Sequence, residues 1–292
     1  MLAYGVWGAV SSLESQNVSA LTLQIVSTIG LFPVALVLLF SKNLWHGAHL
    51  TRGILLAIAT GVIGGTGNLT LYQALHIGGE ASVVFPLSGM YPLVTLILAR
   101  VLLKERLNRV QGFGIALALV AIYLFSAQQG SHALSGWHDV VSAWMGYSLL
   151  TLLLFGMSCI TQKFTTRYIS DELSTIFFTV GFVALGILIW LVGSPPWNLS
   201  AKDWAVGIVV GLLMAIGTLA LFGAMRRGKA SIVTPLTAMY PLVTVILAVI
   251  FLNEHLDLTK IAAIAIALIA AMALSKEDGE QPVTVAHPSP ER

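Results

Sequence analysis

Along the chain, apolar residues run in blocks of roughly 17 to 25 positions separated by short polar breaks, long enough to cross ~30 Å of hydrocarbon as helices rising 1.5 Å per residue. Ten blocks emerge: Leu2 to Gln16, Leu21 to Phe40, Arg52 to Leu75, Ala81 to Leu103, Val110 to Ser126, Ala143 to Phe164, Leu173 to Gly193, Trp204 to Met225, Ala230 to Leu252 and Leu258 to Ser275. The breaks are too short for a soluble domain, so the pattern predicts an all-α integral membrane protein of ten transmembrane helices.

Composition agrees. Of 292 residues, 57% are apolar or aromatic and 10% charged, against about 25% charged in a soluble domain. A net charge of +2 argues against a nucleic-acid surface, which needs concentrated Lys and Arg. The single cysteine, Cys159, lies inside an apolar block and reads as a packing residue. The start of the chain lacks the basic segment of a secretory signal, so the first helix is expected in the mature protein.

The chain is internally repeated. Ala81 to Glu105 reads ASVVFPLSGMYPLVTLILARVLLKE and Ala230 to Glu254 reads ASIVTPLTAMYPLVTVILAVIFLNE, identical at sixteen of 25 positions. The match extends to Gly67 with Gly217, Gly30 with Gly181, and Trp7-Gly8 with Phe155-Gly156. It divides the chain into a first five-helix repeat (1–126), a linker (127–142), a second five-helix repeat (143–275) and a disordered cytoplasmic tail (276–292). By this alignment the first helix is about six residues short, as an upstream start or a truncated chain would leave it.

Because each copy has five helices, the second must enter the membrane from the opposite side. Charge tests this independently of the helix count. Thirteen of the fifteen Lys and Arg residues fall on the face that carries the amino terminus, and only Lys202 and Lys260 on the other. By the positive-inside rule both termini are cytoplasmic, in a plasma (bacterial inner) membrane. Lys104 and Arg106 align with Asn253 and His255, and Arg226 and Lys229 with His76 and Glu80. Like sequence with unlike loop charge is the mark of an inverted repeat.

Each fourth helix carries two prolines, Pro86 and Pro92, then Pro235 and Pro241. Proline removes a donor and frees carbonyls, which in hydrocarbon must be satisfied by protein or a wet cavity. Tyr91 and Tyr240 each lie 11 residues from the helix start, about 16 Å along and thus near the bilayer centre. The third helices carry small residues at every fourth position: Ala57, Gly61 and Gly65, then Gly207, Gly211 and Ala215. The fifth helices pair Gly114 and Ala118 with Ala263 and Ala267, a pattern suited to a scaffold or to the contact of a homodimer.

Among polar residues within the blocks, Asn68, Tyr72 and Gln73 stand out, with Asn68 and Tyr72 one turn apart on one face; they either line a cavity or bond between helices. Glu14 is either a proton site or an interfacial carboxylate. Trp7 is either a cavity aromatic or an interface anchor.

The Trp7-Gly8 pair, the two PLxxMYPLVT stretches with a terminal Glu and the duplicated five-helix plan resemble the EamA-type branch of the drug/metabolite transporter superfamily. The resemblance covers Tyr4 to Ser275. It implies an alternating-access carrier with a central cavity lined by helices 1, 3, 4, 6, 8 and 9, exporting amino acids, amines or other small metabolites and needing no cofactor or metal. Carried over by position, Trp7, Asn68, Tyr72, Tyr91, Thr218 and Tyr240 line the cavity and Pro86, Pro92, Pro235 and Pro241 bend it. One departure lies in helix one, where Ser15 stands in place of the basic residue that many relatives carry, as Lys163 follows Phe155.

A membrane enzyme would require paired acids, a metal set or an activated nucleophile within the spans; the seven histidines fall instead in loops, span ends or the tail. A scaffold has no use for duplicated mid-membrane bends. Among cargoes the alternative is a lipid-linked sugar or phosphorylated metabolite, which favours deep Arg or Lys, whereas the basic residues here sit at span ends. There is no Walker-type loop for ATP.

Overall fold

A computed structural model describes residues 1–42, 44–47, 49–103, 108–127, 143–227 and 237–276. All regular structure among them is helical: α1 (Leu2–Ser15), α2 (Ala20–Leu38), α3 (Leu50–His76), α4 (Ala81–Gly89), α5 (Pro92–Leu103), α6 (Arg109–Ala127), α7 (Ala143–Tyr168), α8 (Asp171–Gly193), α9 (Ala201–Arg227), α10 (Tyr240–Phe251) and α11 (Leu258–Leu274). Six segments are long and apolar enough to cross a membrane: α2, α3, Ala81–Leu98, α7, α8 and the Ala201–Ala224 part of α9. The linker and tail predicted from sequence lie, apart from Ala127 and Lys276, outside the described residues.

Helix starts obey local capping chemistry, and equivalent helices of the two sequence copies use equivalent caps. Ser19 accepts from Thr22 N at 3.2 Å to start α2, and Ser170 accepts from Leu173 N at 3.1 Å to start α8. Asn108 accepts from Gln111 N at 2.7 Å to start α6, as Asp257 does from Lys260 N for α11. Each cap satisfies an amide that the helix itself leaves without a partner.

Between helices, small residues decide which backbones can touch. Where α3 crosses α8, a Cβ built on Gly61 lies 2.2 Å from Phe178 O and one on Gly181 lies 2.3 Å from Ile58 O. Where α2 crosses α9, the same holds for Gly30 (2.1 Å from Ile208 O) and Gly211 (1.8 Å from Ser27 O). Gly30 aligns with Gly181 and Gly61 with Gly211, so one crossing is built twice with the copies exchanged. The fifth-helix small residues act inside the chain: a Cβ on Gly114 meets Leu274 N at 2.9 Å, and Ala118, Ala263 and Ala267 are buried in one cluster. That pattern packs α6 on α11, so it supplies no argument for a dimer face.

Candidate functional site

The fourth helix is interrupted at mid-length. α4 ends at Gly89, Met90 N and Tyr91 N bond back to Leu87 O and Ser88 O at 3.3 and 3.1 Å, and α5 starts on Pro92. Proline at the first position loses nothing, because that amide has no helical acceptor. Pro92 therefore marks the break, while Pro86, also expected to bend the helix, sits buried inside continuous α4. In the second copy α10 starts at Tyr240 with Pro241 in its first turn; Pro235 lies outside the described residues. The two breaks meet, since a Cβ on Gly89 falls 2.6 Å from Pro241 Cγ.

Beside them is a cavity containing about 690 Å³ of space free of protein atoms, open solvent included, with predominantly apolar walls. Tyr4 and Trp7 of α1, Tyr91, Phe155, Phe178 and Tyr240 form its aromatic wall; Ser158, Gln162, Thr218 and Thr237 supply polar groups, and Gly64, Cys159, Met214 and Leu221 fill the remainder. On α7 and α9 these residues run from mid-helix toward the carboxyl ends, Phe155 to Gln162 and Met214 to Leu221, and on α1 they lie toward the amino end. The cavity thus occupies the half of the molecule that carries Lys163 and Arg167. Its inner limit is Trp7, 3% exposed, with its ring edge-on to Phe85 at 5.7 Å and to Tyr4 at 6.2 Å. Tyr4 also touches Tyr240 at 6.0 Å and shares a 3.0 Å hydrogen bond between its hydroxyl and that of Thr218.

Behind Trp7 the structure is closed by a buried polar knot. Asn68 Nδ2 donates to Tyr72 Oη at 2.9 Å and to Gln24 Oε1 at 3.4 Å. Asn68 and Tyr72 are fully buried and absent from the cavity wall. The two side chains pair one turn apart along α3 and reach Gln24 of α2, while Asn68 Oδ1 and Gln24 Nε2 have no hydrogen-bond partner among the described residues.

Packing also corrects the alignment of the first helices. A Cβ on Gly5 meets Val243 Cβ at 2.4 Å and Tyr240 O at 3.2 Å; one on Gly156 meets the equivalent atoms, Val94 Cβ at 2.5 Å and Tyr91 O at 2.9 Å. Thr244 Oγ1 donates to Gly5 O at 3.0 Å, and its counterpart Thr95 Oγ1 to Gly156 O at 3.1 Å. Tyr4-Gly5, not Trp7-Gly8, is therefore the partner of Phe155-Gly156, which moves the register by three residues, about one turn. Trp7 then corresponds to Ser158, and Met214 to Gly64. One half holds an indole and a thioether where the other holds a hydroxymethyl group and a hydrogen atom, with Ser158 Oγ only 2.9 Å from a Cβ built on Gly64. All four of these residues line the cavity.

Of the residues proposed from sequence, Trp7, Tyr91, Thr218 and Tyr240 come together on this wall. Glu14 lies elsewhere, near the far end of α1. It is 3% exposed, and its Oε1 has no hydrogen-bond partner among the described residues. Phe178 was missed because an aromatic residue in an apolar block looks like core; Ser158 and Gln162 were visible only as two polar residues among many.

The chain resembles known proteins over most of its length. Residues 1–127 and 142–276 match the EamA-like transporter family. An uncharacterized protein, MJ1333.1, of Methanocaldococcus jannaschii is 41% identical over 74 residues, which is 25% of this chain and 54% of that protein. An uncharacterized transporter of Clostridium kluyveri is 21% identical over 66% of this chain and 61% of its own, and one from the cobO 3' region of Sinorhizobium sp is 27% identical over 45% and 94%. The chain thus spans little more than half of the first two relatives. A crystal structure with 16% identity superposes with a TM-score of 0.63 over 93% of both chains, which shows a shared fold. With matches to both halves of an apolar helical chain, this integral membrane protein belongs to the EamA-like transporter family.

Proposed function

We propose that the chain is a secondary active or facilitative carrier that exports a small polar metabolite, an amino acid, an amine or a similar compound, by alternating access. In this reading its ten helices form two inverted five-helix repeats in the plasma membrane with both termini cytoplasmic. Cargo enters the cavity beside the broken fourth and ninth helices, and Trp7, Tyr91, Thr218 and Tyr240 contact it. Rocking of helices three and four against eight and nine moves access from one side to the other.

The observation that carries this reading is the aromatic-lined cavity at the junction of the two copies, bounded by Trp7, whose ring meets Phe85 edge-on. Matched glycine crossings, matched Thr-to-Gly hydrogen bonds and matched helix caps support the symmetry that alternating access requires. Because the cavity lies in the half of the molecule that carries Lys163 and Arg167, we read it as facing the cytoplasm under the positive-inside rule.

The test is counterflow in proteoliposomes loaded with unlabelled amino acids, amines, nucleosides or sugars. At least one class is expected to accelerate uptake of its own labelled form, and Tyr91→Ala to reduce that flux without loss of inserted protein. Absence of counterflow with every class from monodisperse, correctly inserted protein would remove the carrier reading.

A further inference from the structure

With the register of α1 corrected, each wall of the cavity has a definite counterpart in the other copy. Thr218 corresponds to Asn68, on the offset that pairs Gly217 with Gly67, and Phe178 to Ser27, as Gly181 does to Gly30. Gln162 corresponds to Ser11 and Thr237 to Ser88. All four counterparts are fully buried and none is on the cavity wall. Exchanging the copies therefore turns an open, largely aromatic cavity into a closed group of hydroxyl and amide side chains.

A buried serine in an apolar helix is ordinarily a packing residue bonded to its own preceding turn. Ser11, Ser27 and Ser88 are of this kind, donating to Gly8 O, Gln24 O and Phe85 O at 3.0, 3.1 and 3.2 Å. The groups between them are not. Asn68 Nδ2 reaches Gln24 and Tyr72, and the Tyr72 hydroxyl faces Trp7 and Ser27. Yet Asn68 Oδ1, Gln24 Nε2 and Trp7 Nε1 have no hydrogen-bond partner among the described residues. Each such buried atom is costly, and packing gives no reason to gather three of them.

Their chemistry indicates the missing partner. Two are donors, one is an acceptor, and none is charged. An anion would leave Asn68 Oδ1 unpaired, and a cation would meet two N–H groups. Water accepts from both donors and donates to the acceptor.

We propose, resting on the carrier reading above, that Ser11, Ser27, Asn68 and Ser88, together with Trp7 and Gln24, form a second, polar chamber that is closed in this state and takes water when access turns outward. The two half-routes are then unlike: the inner one is walled by rings, the outer one by hydroxyl and amide groups.

The test is accessibility of single cysteines in the full chain, in sealed, oriented vesicles and a Cys159→Ser background. Ser27→Cys and Ser11→Cys, both near-isosteric, are expected to react with an impermeant thiol reagent from the outer side only. Their rates should be at least about tenfold below that of exposed Lys202→Cys, because the outward state is the minor one. Thr28→Cys is the control, one residue from Ser27. Thr28 and its counterpart Thr179 are both buried and off the cavity wall, so it should react from neither side. With Cys159 retained, modifying it first from the cytoplasmic side should slow the outer reaction of Ser27→Cys, since a filled inner cavity holds that side open. Reaction of Ser27→Cys from the cytoplasmic side, or equal reaction of Thr28→Cys, would overturn the proposal. No outer reaction of Ser27→Cys or Ser11→Cys while counterflow proceeds would also overturn it and leave the carrier reading standing; neither outer reaction nor counterflow would remove both.

Discussion

Consider the crossing of α2 and α9, where the two backbones meet at Gly30 and Gly211. Adding one methyl group at Gly211 would place carbon 1.8 Å from Ser27 O and 2.8 Å from Gly30 Cα. Both obstacles are main-chain atoms, so no rotamer change relieves the clash and the helices must separate by more than an ångström. Overpacking of this kind costs about 1–3 kcal/mol. Gly112→Ala on α6 is the matched control: a Cβ there meets nothing within 4 Å, and alanine should gain about 0.5–1 kcal/mol through helix propensity. The propensity gain is common to both variants, so the gap between them is the overpacking cost alone, about 1–3 kcal/mol, which corresponds to roughly 2–12 °C in melting temperature at ~2–4 °C per kcal/mol. Thermal unfolding in one detergent, followed by size-exclusion of the surviving monodisperse fraction, measures it. Gly61→Ala, whose Cβ falls 2.2 Å from Phe178 O, should match Gly211→Ala. Melting of Gly211→Ala within ~2 °C of Gly112→Ala would refute the close crossing, and a harmless Gly61→Ala beside a damaging Gly211→Ala would refute its duplication.

Other expectations follow from single contacts. Glu254 receives hydrogen bonds from Ala81 N and Ser82 N at 2.7 and 2.8 Å, capping α4 from the other copy. Glu254→Ala should therefore destabilise by about 0.5–2 kcal/mol and Glu254→Gln by less, in the same melting assay. Thr95→Val and Thr244→Val each delete one bond to a glycine carbonyl. Each should cost about 0.5–1.5 kcal/mol, and a large difference between the two losses would contradict their equivalence. Cys159 lines the cavity, so in this state a membrane-impermeant maleimide should modify it from the side of the α7 carboxyl end and block transport. Modification from the opposite side alone, measured by mass shift in oriented vesicles, would contradict the placement of the opening.

The helical segments and the sequence repeat were legible because burial in lipid imposes long apolar runs and because copying preserves sequence at the broken helix; six of the ten expected spans recur among the described residues as helices long and apolar enough to cross a membrane. Tyr91 and Tyr240 could be placed on the wall because they sit at the duplicated breaks, whereas Thr218 came only from the family resemblance. The register of α1 could not be read this way. The Trp-Gly and Phe-Gly pairs look alike in sequence, but the glycine that can approach Val243 and receive the Thr244 hydroxyl is Gly5. Asn68 and Tyr72 carried the right chemistry for a cavity, and their spacing of one turn allows the bond between them, yet the bond to Gln24 depends on where α2 lies. The terminal Glu of the repeated stretch stood out as a motif, but its role as a cap 172 and 173 residues away is a property of packing alone. Small residues are ambiguous in the same way, since Gly64 and Ser158 become meaningful only once Met214 and Trp7 are known to be their counterparts.

The central claim is that two copies of one five-helix unit surround the cavity in opposite orientation, and the most direct measurement uses Arg52 and Lys202. These exposed residues occupy equivalent positions at the starts of α3 and α9. In a Cys159→Ser background, Arg52→Cys and Lys202→Cys are labelled in sealed, oriented vesicles with an impermeant thiol reagent. The account predicts that Arg52→Cys reacts only from the cytoplasmic side and Lys202→Cys only from the opposite side; reaction of both from one side would contradict it.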